Sequence, residues 1–254
     1  MKMRAVRSRW GLAVGFAMVV AGCGAPPQPQ DEAQQSDQEN WAAAPHIDAV
    51  ALQGGGVLVS GQAPPGARVI LSSPTGQAMA AAADGEGRFE LAVGRAALGH
   101  VLTPEIQIGQ TPVPGPERLL VAGDGMVVAA LLIDGGPSRR LTEGPTLSAV
   151  DGDGRGLLVS GRSTPGARVQ VRSEGETALA MADDAGLWTA PLSRIRDRAV
   201  QIEVGGDSYA YPGPGAATGR AERAGQGWRV TRALSDAARQ TSWFPDVGDP
   251  PAAK

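Results

Sequence analysis

Apolar and polar residues alternate along several short stretches of this chain, with the period of two that is typical of β-strands. In the segment ARVIL, Ala67, Val69 and Leu71 share one face of the predicted strand, and Arg68 lies on the other. The segments ARVQV, RFEL and EIQI alternate in the same way. Each therefore predicts a strand with one buried and one exposed face.

Turn-forming groups separate these segments. The groups PPG, SPTG, DGEG and PGPE supply proline, which presets φ, and glycine, which accepts a positive φ. No segment beyond the first 22 residues carries a sustained helical period. Many short strands joined by such turns predict an all-β sandwich or barrel.

One phrase occurs twice, one hundred residues apart. VLVSGQAPPGARV begins at Val57 and LLVSGRSTPGARV begins at Leu157, and LVSG and PGARV are identical in both. The pairs ADGEGRFEL and ADDAGLWTA, then IQIG and IEVG, follow in the same order. We therefore predict a duplicated domain. Paired positions should share one environment: Val69 and Val169, Phe89 and Trp188, and Ile108 and Val204 buried, Arg68 and Arg168 exposed.

The duplication predicts two tandem antiparallel β-sandwiches. The expected divisions are a signal peptide (1–22), a flexible Pro/Gln-rich tether (23–44), a first sandwich (45–143), a second sandwich (144–247) and a disordered tail (248–254). Each unit is expected to end in a hairpin, with its turn at Asp124-Gly125 in the first and at Ser235-Asp236 in the second. A two-residue turn in the second hairpin would place Trp228 opposite Trp243, and also Arg232 opposite Arg239.

The first 23 residues have the form of an export signal. Four basic residues precede an apolar run that is too short to span a bilayer as a helix. The run ends in VAGC, which resembles the lipobox of bacterial lipoproteins; the resemblance implies cleavage before Cys23 and a lipid on its sulfur. Because Cys23 is the single cysteine, no disulfide is expected. Gly24, in place of an aspartate, favours the outer membrane, with the protein facing the periplasm or, as the alternative, the cell surface.

The phrase VSGQAPPGARV, followed by AADGEGRFEL, resembles the immunoglobulin-like repeats of bacterial surface proteins and adhesins. The resemblance covers about residues 47–109 and 147–205, and it implies immunoglobulin-like sandwiches. A sandwich of the carboxypeptidase-regulatory type is a close competitor. Either fold says little about function.

Charge argues against nucleic acid as a partner. Removing residues 1–22 with their four basic residues leaves 19 basic against 26 acidic residues, a formal charge of −7, and no basic patch is apparent. The spacing of histidines and carboxylates predicts no metal site, and no cofactor is expected. The segments Gly206-Asp207-Ser208 and Asp151-Gly-Asp153 are interpreted as turns rather than as an esterase motif or a calcium loop. We predict no catalytic residue.

Two functional hypotheses remain. The first is a non-catalytic, lipid-anchored envelope protein that acts as a structural spacer or protein-interaction module. The alternative is a lipoprotein that binds glycan or peptidoglycan by stacking on Trp228, Trp243 and Phe244 of the second domain. The same three residues are also interpreted as a hydrophobic plug that closes the second sandwich. Exposed rings would favour the glycan-binding alternative, and buried rings would remove it. The expected partners are the membrane, through the lipid, and an envelope protein or a glycan.

Overall fold

The computed structural model describes residues 44–108, 111–123 and 127–247. Cys23, the Asp124-Gly125 turn and the side chain of Ile108 lie outside the described residues. Within these ranges the fold is all-β, as predicted: there is no α-helix, and Arg95–Ala97 forms a single turn of 3₁₀-helix. No helix in the described part has the length and apolarity to cross a membrane.

Twenty strands lie within the described ranges, and every pairing between neighbours is antiparallel. They are β1 (His46–Gln53), β2 (Gly56–Gln62), β3 (Arg68–Ser72), β4 (Ala78–Ala82), β5 (Arg88–Val93), β6 (Val101–Ile108), β7 (Thr111–Pro114), β8 (Glu117–Ala122), β9 (Val128–Ile133), β10 (Arg139–Arg140), β11 (Leu147–Gly152), β12 (Leu157–Arg162), β13 (Arg168–Ser173), β14 (Glu176–Met181), β15 (Leu187–Leu192), β16 (Val200–Val204), β17 (Asp207–Tyr211), β18 (Ala221–Arg223), β19 (Gly227–Ala233) and β20 (Arg239–Pro245).

The first repeat stacks two sheets on one apolar core. One sheet has the order β1-β2-β5, and the other has the order β10-β9-β8-β6-β3-β4, with β7 also paired to β6. Alternate residues of both sheets point inward, as the period of two predicts. The core includes Ile47, Val57, Val59, Val69, Leu71, Phe89, Leu91, Ile106, Leu119, Val121, Ala129 and Leu131.

The second repeat also stacks two sheets. One has the order β15-β12-β11-β20-β19-β18, and the other has the order β14-β13-β16-β17. Its core includes Leu147, Val150, Leu157, Val159, Val169, Val171, Trp188, Ala190, Leu192, Ile202, Val204, Tyr211 and Trp243.

The repeated phrase folds in the same way in both copies. The glycine of its PG turn has φ of 73° at Gly66 and 75° at Gly166, a region that favours glycine. The glycine of its SG pair lies directly across from the core aromatic ring, with Gly61 opposite Phe89 and Gly161 opposite Trp188. A Cβ on Gly161 would lie 2.4 Å from Cζ2 of Trp188. Close packing against the ring therefore requires glycine at Gly61 and Gly161.

The paired positions match the predictions from the duplication. Phe89 and Trp188 are each 2% exposed. The exposed fractions of Val69, Val169 and Val204 are 0%, 6% and 0%. The arginines between the inward-facing residues of the two copies, Arg68 and Arg168, are exposed. These predictions are confirmed, whereas the side chain of Ile108 lies outside the described residues.

A third apolar layer joins the two repeats. Its first side is the outer face of β8 and β9, and its second side is the outer face of β11, β19 and β20. The layer comprises Val101, Leu120, Ala122, Val128, Ala130, Leu132, Ala149, Val230 and Phe244, with Ala221 and Trp228 at its margin. We call this contact the junction. Because of it, four sheets are stacked around three apolar layers.

Candidate functional site

The three aromatic residues suggested as a stacking platform lie in different surroundings. Trp243 is 1% exposed inside the second core, where its Nε1 donates to the Ala224 carbonyl at 2.9 Å. Phe244 is fully buried in the junction. Trp228 is half-buried, and the Arg223 guanidinium lies 5.2 Å from the centre of its ring. The burial of Trp243 and Phe244 gives no support to the stacking alternative, since Trp228 is the one ring of the three that is partly exposed.

The predicted register of the last hairpin is wrong. Trp228 pairs with Phe244, and Arg232 pairs with Gln240, one residue away from the predicted register. The Leu234 N–H donates to the Ala238 carbonyl at 2.8 Å, which closes a three-residue loop instead of a two-residue turn. A type I′ turn needs a positive φ at both central residues. Among the described residues, the only non-glycine residue with a positive φ is Glu174.

A one-residue shift moves every side chain of one strand to the other face relative to its partner. It therefore sends Trp243 into the second core and Phe244 into the junction. It also keeps Arg232 from facing Arg239, and like charges directly across a strand pair are unfavourable.

The polar centre of the junction is a buried carboxylate, Asp151 of β11, which is 4% exposed. Its Oδ2 accepts the Ser138 N–H at 2.7 Å, and its Oδ1 accepts the hydroxyls of Ser138 at 2.6 Å and Ser242 at 2.5 Å. Ser138 belongs to the segment that leaves the first repeat. A buried charge needs such donors, because desolvation is costly. Asp151 thus fixes the connecting segment to the second repeat.

Gln240 of β20 extends this network. Its Nε2 donates to the Gly136 carbonyl at 2.9 Å, and its Oε1 accepts the Gly135 N–H at 2.9 Å. Burial raises the pKa of the Asp151 carboxyl, and the hydrogen bonds from Ser138, Ser242 and Gln240 oppose the shift. Around Asp151 the junction therefore combines an apolar layer with hydrogen-bonded polar groups, an arrangement that favours one geometry.

Arg140 forms a second polar contact across the junction. It is 2% exposed, and its Nη1 donates to the Pro245 carbonyl at 2.6 Å. Its Nε and Nη2 have no partner among the described residues. Burial lowers the pKa of Arg140 to about 10, and the charge of Asp246 opposes that shift. Arg140 thus connects β10 of the first repeat to the end of β20.

A cleft of about 340 Å³ lies beside Asp151. Leu157, Leu158 and Pro191 contribute apolar surface to it, and Gln240 lines one part. The polar atoms of Asp151 and Gln240 are already engaged within the network. These two side chains therefore direct their hydrogen bonds into the network rather than into the cleft.

The remaining sequence candidates have structural roles. The Asp153 Oδ1 accepts the N–H groups of Arg155 at 2.8 Å and Gly156 at 3.1 Å, which makes it a turn residue. The β16–β17 hairpin turns at Gly205–Gly206, and the Ser208 hydroxyl donates to Gln201 Oε1 at 3.3 Å. In the described ranges, no group of three or more metal-ligating side chains comes together.

Asp151 lies within β11 and not in a turn, so the turn interpretation of Asp151-Gly-Asp153 does not indicate its place in the junction. A signal was available. Asp151 follows Val150 as Ala51 follows Val50, so a carboxylate replaces an alanine at the same place in the second copy. A polar residue that appears in one copy only indicates an environment that the other copy lacks.

Comparisons with known proteins do not assign this arrangement. No model of a protein family matches the chain. A search of curated proteins also finds no match.

Proposed function

We propose that this protein is a non-catalytic, lipid-anchored protein of the bacterial cell envelope, in which two immunoglobulin-like sandwiches act as one rigid spacer and interaction module. The anchor part of the proposal depends on the lipobox-like VAGC segment and Cys23. The proposed location is the outer membrane, with the folded part facing the periplasm.

The junction is the observation that carries the spacer hypothesis. Tandem domains joined only by a linker move independently by default, and a large apolar contact removes that freedom. Here Leu120 and Leu132 are fully buried against Val230 and Phe244, beside the hydrogen-bonded Asp151. A stiff rod of two sandwiches keeps a fixed distance between its ends, which is what a spacer requires.

The spacer hypothesis is tested by opening the junction. Leu132→Asp places a charge in the junction while leaving both sandwich cores intact, because Leu132 faces the other repeat. We expect the wild-type protein to unfold in one cooperative transition and the variant to unfold in two. Small-angle scattering should show a broader range of distances between the repeats in the variant.

The matched control is Leu131→Asp, since Leu131 is the neighbour that faces the first core and should unfold that repeat. Phe244→Ala opens the junction from its other side and should reproduce the Leu132→Asp result. A single transition and an unchanged scattering profile in both junction variants would contradict the spacer hypothesis.

The anchor is tested separately with Cys23→Ser. A hydroxyl cannot replace the thiolate in lipid transfer, so the variant should leave the membrane fraction and keep its signal peptide. Ser36→Ala, which changes a hydroxyl outside the VAGC segment, is the control and should stay in the membrane fraction. Normal membrane retention of Cys23→Ser would overturn the lipoprotein hypothesis and leave the spacer hypothesis untouched.

A further inference from the structure

A second groove, of about 470 Å³, lies at the margin of the junction. Thr103 and Arg118 of the first repeat line it, together with Asp134, which follows β9. Thr218 and Arg232 contribute from the second repeat. Its size is that of a small-molecule site, and its lining comes from both sandwiches.

Arg232 is an incompletely paired cation in this groove. It is 8% exposed, and its Nη1 donates to Asp134 Oδ1 at 2.5 Å. Its Nε and Nη2 have no partner among the described residues. Buried donors without acceptors are unfavourable, and more so when the group is charged. Both atoms are shielded from solvent, so Arg232 contributes its positive charge to the groove rather than free N–H donors.

Arg118 approaches the same groove from the opposite sheet. It pairs with Leu132 on β9, and Leu132 points into the junction, so Arg118 lies on the face that meets the second repeat. Its Nη1 donates to the carbonyls of Gly115 at 3.1 Å and Glu117 at 3.4 Å, which carry no charge.

The charges of the groove do not balance. Arg118 and Arg232 supply two guanidinium groups, and Asp134 is the one carboxylate among the lining residues. The side chain of Asp134 is 51% exposed, so water screens part of its charge. The groove is therefore locally positive in a chain whose formal net charge is −3.

We propose that this groove binds an oxyanion, a phosphate or a carboxylate carried by a small polar molecule. The planar guanidinium of Arg118 carries N–H donors whose geometry matches the oxygens of either group. The hydroxyls of Thr103 and Thr218 line the same groove and can donate to such oxygens. Because the lining comes from both repeats, the bound anion also strengthens the junction. The site does not depend on the lipid anchor.

The experiment is a titration of the purified full chain at constant ionic strength, followed by calorimetry or by NMR shifts. The probes are inorganic phosphate, glycerol phosphate against glycerol, and an acetylated dipeptide acid against its amide. The charged member of at least one pair should bind saturably, and its neutral counterpart should not. Binding by glycerol phosphate identifies a phosphate site, and binding by the dipeptide acid identifies a carboxylate site.

Three variants locate the site. Arg118→Gln should weaken binding by about tenfold or more, because a hydrogen bond to a charged group is lost. Asp134→Asn should tighten binding, because it removes the competing carboxylate. Arg168→Gln changes an exposed arginine outside the groove and should leave affinity unchanged.

These variants avoid Arg232, whose burial makes a folding defect difficult to separate from a binding defect. The proposal is overturned if no oxyanion binds saturably. It is overturned equally if Arg118→Gln and Asp134→Asn leave the affinity unchanged, or if Arg168→Gln weakens it as much as Arg118→Gln does.

Discussion

The hairpin β8–β9 and the hairpin β19–β20 come from corresponding ends of the two repeats, yet they join different sheets. The first extends the sheet of β6, where Val101 pairs with Leu120. The second extends the sheet of β11, where Val150 pairs with Trp243. The strands before the hairpins, β1 to β7 and β11 to β17, pair in the same pattern in the two copies.

Connection length explains the difference. In the first repeat, β7 ends at Pro114 and β8 begins at Glu117, so the chain can only continue along β6. In the second repeat, β17 ends at Tyr211 and β18 begins at Ala221. The nine residues between them, 212–220, are long enough to carry the chain to the other sheet.

The different sheet membership of the two hairpins has a structural consequence. Both hairpins lie in the two inner sheets of the stack, so the outer face of each hairpin meets that of the other and forms the junction. Hairpin β8–β9 is therefore buried on both faces, which accounts for its nearly continuous apolar sequence. The two repeats thus meet through a shared apolar layer because they differ after the seventh strand.

The largest expected effect tests the part that the repeats share. Trp188→Ala and Phe89→Ala each remove a ring that is 2% exposed and lies across from the glycine of the repeated phrase. Each should lower the free energy of unfolding by about 3–5 kcal/mol, measured by urea denaturation. If the free energies lost by Trp188→Ala and Phe89→Ala differ by more than about 2 kcal/mol, the two cores are not equivalent. That threshold is the range found among large-to-small substitutions of one type at different core sites.

The strands and turns that the two repeats share could be predicted well from the sequence alone, because the patterns that indicate them are local. Alternation fixed the inward residues of β3 and β13, and the positive φ of Gly66 and Gly166 agrees with their PG turns. The aspartate of each AD turn accepts backbone N–H groups. Asp84 Oδ1 accepts the Arg88 N–H at 2.8 Å, and Asp183 Oδ1 accepts the Leu187 N–H at 2.8 Å.

The junction could not be predicted in that way. Whether β20 pairs with β11 depends on the path of residues 212–220 and on contacts distant in sequence. The register error at Trp228 followed from assuming a two-residue turn where the loop has three residues. A local pattern does not specify which sheet a hairpin joins, so it does not reveal that Phe244 packs against the first repeat.

The next largest effect tests the junction, where the second repeat has Asp151 and the first repeat has Ala51. Asp151→Asn keeps the shape of the side chain, but its amide nitrogen turns two N–H donors toward the donors of Ser138 and Ser242, where the protonated carboxyl has one O–H that can also accept. We expect a cost of about 1–3 kcal/mol near pH 4, measured by urea denaturation.

The pH dependence of the cost of Asp151→Asn shows whether the proton of Asp151 causes it. Burial raises the folded-state pKa of Asp151 above 3.8, so its bound proton stabilises the folded state fully below the unfolded-state pKa. This stabilisation is lost as the pH rises through the folded-state pKa. The amide of the variant holds no such proton, so the cost of Asp151→Asn should shrink as the pH rises. Asp153→Asn, at an exposed turn residue nearby, is the control; a cost for Asp151→Asn that is independent of pH would contradict this account.

The smallest expected effect returns to the two copies of the phrase PGARV. Arg68 and Arg168 are exposed at the same position of β3 and β13, and each lies between inward-facing neighbours. Neither forms an ion pair among the described residues. Arg68→Ala and Arg168→Ala should each change the free energy of unfolding by less than about 0.5 kcal/mol. A cost above about 1 kcal/mol for Arg168→Ala alone would exceed what a surface substitution produces. It would mean that this face of the second repeat is covered in solution. The copies would then differ in a way that their shared sequence does not predict.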